Sequence, residues 1–138
     1  MPSPELVTAL KAIMGSARAG DLEAAYKGYR ELFASPAFQA SSPQDKRPAL
    51  RLMVHAKGVP DPPTATMVAA YQVALPLLKD LVSQHGEPAD HEMLGMCLVA
   101  TGDEKTAAEV FRAGLTLERE RNAQSDLCGA LMKRVSML

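Results

Sequence analysis

Few side chains in this sequence have types that do chemistry, and their spacing argues against most of it. His55, His85 and His91 are the imidazoles; Cys97 and Cys128 are the thiols. His85, Asp90, His91 and Cys97 can be drawn around a cation, but their intervals match no usual zinc pattern. His91-Glu92 runs on into Met93-Leu94-Gly95, so the second histidine of a His-Glu-x-x-His helix is missing. No serine stands in Gly-x-Ser-x-Gly, and neither Gly-x-x-x-x-Gly-Lys-Ser/Thr nor Gly-x-Gly-x-x-Gly is present to cradle a phosphate. Of the paired carboxylates, Asp103-Glu104 follows a glycine, where Asp103 caps a helix. The mixed run Glu118-Arg119-Glu120-Arg121 reads as a solvated face. Cys128 has no basic neighbour to stabilise a thiolate. Both cysteines lie in apolar helical patterns, as free buried thiols do, and such thiols suit a reducing cytoplasm. The sequence therefore predicts a cytoplasmic protein that is not an enzyme, with no catalytic residues, no metal and no cofactor.

Composition sets the elements that must position anything else. The chain has 138 residues, 47% hydrophobic and 22% charged, with a formal net charge of −1, the balance of one folded domain. Aromatics are only 4% and Trp is absent, so Leu, Ala, Met and Val must fill the core. Residues 1–60 carry +3 and residues 61–138 carry −4, an asymmetry too mild for a nucleic-acid partner. The opening Met1-Pro2-Ser3-Pro4-Glu5 lacks a basic and then apolar leader pattern. No run approaches about 18 uninterrupted apolar residues, so no membrane insertion is expected.

Periodicity predicts helix throughout. Ser3 caps a first helix with Pro4 at its start and Leu6, Leu10, Ile13 and Ala17 on one stripe, ending at Gly20. Asp21 caps a second, which carries Ala25, Tyr29 and Phe33 and stops before Pro36. Ser42-Pro43 opens a third, running through Leu50 and Met53 to Gly58. Val59 to Pro63 is a stiff connector. Thr64 or Thr66 begins a long helix bearing Met67, Tyr71, Leu75, Leu78 and Val82, with Pro76 inside it and Gly86 at its end. Helices from about Pro88 to Thr101 and from Asp103 to about Arg121 flank Gly102. A last one over Gln124 to Leu138 carries Leu127, Leu131 and Val135. These are seven helices, expected to pair as hairpins over about 3–36, 43–85 and 88–121, with a capping helix at about 123–138.

Leu94, Gly95, Gly102, Ala107 and Phe111 recur at spacings that set a small residue at a helix crossing and an aromatic ring one turn on. This resembles the tetratricopeptide repeat over residues 88–121. Departures are His91 at the Trp position, Leu98 at the Tyr position, Gly114 at the second small position and Arg119 at the Pro. A degenerate copy covers residues 6–39, with Gly20-Asp21 at the turn, Ala25, Tyr29, and Ile13 in place of the first Gly. Gly20 and Gly102 stand 82 residues apart, not a multiple of the usual repeat length of about 34.

The resemblance implies an all-α, tetratricopeptide-like α-solenoid whose first helices line a concave face. Carried over position by position, the groove would be Val7, Leu10, Met14, Ala17 and Arg18 in one copy. In the other it would be Ala89, Glu92, Met96, Val99 and Ala100. On that reading the protein is an adaptor or small chaperone that binds an apolar or amphipathic peptide, with Glu92 repelling carboxylates. The alternative is a structural or assembly subunit of a constitutive complex or homo-oligomer. Whether the groove is open or is covered by the C-terminal helix is left to the tertiary structure.

Overall fold

The computed structural model describes residues 3–138. Met1 and Pro2, on which the leader expectation partly rests, lie outside them. The fold is all-α: α1 (Pro4–Arg18), α2 (Leu22–Ala34), α3 (Pro36–Gln39), α4 (Pro43–Val54), α5 (Ala65–His85), α6 (Pro88–Ala100), α7 (Glu104–Asn122) and α8 (Asp126–Ser136). The helix beyond the seven expected is α3, a single turn. Ser35 closes α2 and caps α3 at once, its Oγ accepting from the Phe38 amide at 3.2 Å, and Pro36 supplies the first helical residue. Burying Phe38 is what makes so short a turn worthwhile.

Two turns are built alike. In the first, the Asp21 amide donates to Ser16 O at 2.9 Å and the Gly20 amide to Ala17 O at 3.0 Å. In the second, Asp103 donates to Leu98 O at 2.8 Å and Gly102 to Val99 O at 3.1 Å. This paired pattern closes a helix through a left-handed residue, and the glycines have φ of +83° and +91°. Each aspartate then caps the next helix, accepting from the Ala24 amide at 3.0 Å and the Thr106 amide at 3.1 Å.

The chain divides into two compact units, Met1–Ala74 and Leu75–Leu138, with the boundary inside α5. In the first, α1 packs on α2 and α2 on α3. Tyr26, Tyr29, Phe33, Phe38 and Tyr71 form an aromatic cluster with ring centroids 5.0–5.9 Å apart. The buried Tyr26 hydroxyl sits 3.4 Å from the Tyr71 hydroxyl and 3.5 Å from Met53 O on α4. In the second unit α6, α7 and α8 pack on one another around Phe111, Cys97, Cys128 and Leu131.

Adding 82 to a residue number carries α1 to α6, α2 to α7 and α4 to α8; Arg18 and Ala100 close their helices, and Leu22 and Glu104 open theirs. The two units therefore share helix order and turn spacing, but among the described residues α8 packs closely on α6 and α7 whereas α4 is not among the close partners of α1 or α2. α4 and the first half of α5 both reach the Tyr26 hydroxyl, through Met53 O and the Tyr71 hydroxyl. The crossings solve one steric problem in two ways. In α6, Gly95 lies under the Phe111 ring, with no room for a Cβ. In α1 the matching residue is the bulky Ile13, and space comes instead from Gly28 on α2, whose added Cβ would lie 2.7 Å from Ile13 Cγ1.

The buried apolar residues of α5 are Met67, Ala70, Tyr71, Ala74, Leu77, Leu78 and Leu81, while Leu75 and Val82 are only half-buried. Among the described residues α5 is also the one helix long and apolar enough to cross a membrane by length and composition. Gln72 and Pro76 break its apolar run without making the helix polar.

Candidate functional site

The face of α1 chosen from sequence is solvent-accessible, but only part of it forms a site. Met14, Ala17 and Arg18 line a cleft of about 290 Å³ between α1, α2 and the end of α4, facing Leu22, Tyr29 and Leu52. Leu52 is 40% exposed there. Val7, exposed, and Leu10, half-buried, do not line it.

In the second unit Met96 and Val99 line a cleft of about 280 Å³, with Phe111, Arg134 and Met137. Six lining positions of the two clefts correspond at the 82-residue spacing. Met14 matches Met96, Tyr29 matches Phe111, Leu52 matches Arg134, and Ala56 matches Leu138. Ala89 and Ala100 are half-buried and line neither.

Glu92 is the clearest correction. Its side chain is not an open groove carboxylate. It is buried, and its Oε2 accepts from Arg134 Nε on α8 at 2.8 Å. A carboxylate tolerates such a site when a guanidinium answers it, and α8 brings that guanidinium across 42 residues of sequence. The C-terminal helix thus covers this part of the expected groove. Glu118 is also buried rather than solvated: it accepts from Ser125 Oγ at 2.9 Å, fixing the residue that caps α8. Arg121 of the same run pairs with Glu87 at 2.8 Å on the surface, as a solvated face would.

Sequence reasoning missed the third wall of each cleft, Leu52 and Ala56 in one and Arg134 and Met137 in the other. A signal existed: the serines that cap α4 and α8, Ser42 and Ser125, repeat the spacing of the glycine turns to within one residue. Comparison with protein-family models, curated proteins and solved structures finds no match.

The remaining polar groups are used for packing. His91 Nδ1 lies 2.8 Å from Glu87 O, so that nitrogen carries the proton. His91 Cβ sits against Gly114, where an added Cβ would approach to 2.7 Å. α6 and α7 therefore cross closely at His91 and Gly114. No buried side-chain nitrogen or oxygen among the described residues lacks a partner. Burial first, and the neighbouring Tyr26 second, push the Tyr29 hydroxyl up to about 12, so the first cleft is walled by a neutral phenol.

Both cysteines are buried. Desolvation pushes the Cys97 thiol up to about 12. At pH 8 the thiol therefore stays protonated. Native protein is expected to react with a thiol reagent only through opening, with labelling accelerating in denaturant. Full labelling of Cys97 within seconds in buffer would contradict its burial.

Proposed function

We propose that the chain is a non-enzymatic, cytoplasmic protein–protein interaction module of tetratricopeptide-like construction. It holds an apolar or amphipathic peptide segment in its clefts, as an adaptor or small chaperone does. The observation that carries this reading is the repeated cleft. Two sequence-distant sets of helices build clefts from matching positions, and each presents a half-buried methionine, Met14 or Met96, beside an aromatic ring. Methionine side chains repack around varied apolar surfaces at little cost.

A second reading, a structural subunit or homo-oligomer, is favoured by three exposed apolar side chains. Met132, Met137 and Leu138 on and after α8 are 47%, 73% and 43% exposed. Light scattering across a concentration series separates the two, since an obligate oligomer keeps its mass on dilution.

Met14→Glu and Met96→Glu test the clefts directly. Binding to a partner recovered from native lysate and identified by mass spectrometry is expected to fall at least tenfold, about 1.4 kcal/mol. Helical circular dichroism should be retained. If both variants unfold, the two methionines are core residues and the clefts are not sites.

A further inference from the structure

We propose that the first cleft selects an amphipathic segment that carries carboxylates beside its apolar anchors. This rests on the interaction-module reading and specifies the partner for one of its two sites.

The matched positions of the two clefts supply the comparison. Where the second cleft has Glu104 and Arg134, the first has Leu22 and Leu52. The charged pair Glu92–Arg134 is matched by Leu10 and Leu52. The first cleft therefore has an apolar floor where the second has internal charges. Its cations lie at the margin instead. Arg18 and Lys57 line it, and the counterpart of Arg18 in the other unit is Ala100. A second, shallower hollow adjoins it, sharing Leu52 and Ala56 and adding Arg51. No carboxylate lines either hollow.

Two hollows on either side of one Leu52–Ala56 ridge call for two successive anchors, as a peptide supplies at i and i+3 or i+4. Three cations around them call for negative charge flanking those anchors. A membrane surface satisfies the charge but not the shape, because Met14 is half-buried and Tyr29 is buried at the cleft wall, below the reach of a flat bilayer.

The test is selection of a displayed peptide library with leucine anchors at helical spacing and polar positions randomised evenly among Glu, Asp, Lys and Ser. A selected peptide is then measured by fluorescence anisotropy. Enrichment of Glu and Asp is expected, with affinity weakening at least tenfold in Arg18→Glu/Lys57→Glu and falling as salt rises. Lys27→Glu/Arg30→Glu, an equal charge change on exposed positions outside the cleft, should leave it unchanged. Because Glu at position 18 opposes the dipole at the end of α1, Arg18→Gln/Lys57→Gln provides a milder variant that must also weaken binding. Enrichment of Lys or Ser to the same degree overturns the charge selection while leaving the interaction module intact. No retained peptide at all overturns both. Sedimentation with phosphatidylserine vesicles, lost in the same double variants and without peptide enrichment, assigns the patch to a membrane and also overturns the proposal.

Discussion

Phe111→Ala is expected to lower the free energy of unfolding by about 3–5 kcal/mol. The ring is 2% exposed and lies in the crossing of α6 and α7 against Gly95. Truncation leaves a void that neighbouring side chains cannot close, because the backbones already approach as closely as a glycine permits. The chain offers separate probes for its two units. All three tyrosines, Tyr26, Tyr29 and Tyr71, belong to the first, while Cys97 and Cys128 belong to the second. In a urea titration, thiol exposure should shift to lower denaturant in Phe111→Ala. If the units unfold independently, tyrosine fluorescence should keep its midpoint; if they are one cooperative system, both probes move together. A loss of less than about 1 kcal/mol by thiol exposure would mean that the ring does not fill a core crossing.

Gly95→Ala is expected to reverse the usual sign of a glycine-to-alanine change in a helix. Inside a helix the substitution ordinarily gains about 1 kcal/mol, because alanine loses less backbone freedom on folding. That gain is expected at Gly15 in α1 and Gly129 in α8, where an added Cβ meets nothing within 4 Å. At Gly95 the same methyl group collides with the Phe111 ring. The aromatic ring is buried and cannot swing away, so α6 and α7 must separate, at a net cost of about 1–3 kcal/mol. Combining Gly95→Ala with Phe111→Leu should recover part of the loss, since the two residues share one contact. Thermal unfolding of the three single variants decides the matter. If Gly95→Ala stabilises the protein as the other two do, the close crossing of α6 and α7 is not formed.

The sequence by itself determined what depends on neighbours three to five residues away. Ser3, Asp21, Ser42 and Asp103 each cap the helix that follows, as their positions predict, because the hydrogen bond runs to an amide three residues on. Gly20 and Gly102 mark the two turns because only a residue tolerant of positive φ closes a helix in that way. The burial of Cys97 and Cys128 follows from apolar patterns local to α6 and α8.

Which faces meet was decided by the tertiary structure alone. On α6 apolar side chains go nearly all the way round, so periodicity could not say which side lines a cleft, and it placed Glu92 in the open. The Arg134 that buries Glu92 lies 42 residues away, and no local pattern announces the pairing. The sequence showed that Ile13 replaces a glycine but not that Gly28 makes the room for it. A close approach between helices needs one small residue, and either helix can supply it. The clefts were half legible: Met14, Ala17, Arg18, Met96 and Val99 lie on them, but their third walls come from α4 and α8. A concavity is set by three helices converging in space, whereas the sequence pattern describes one helix at a time.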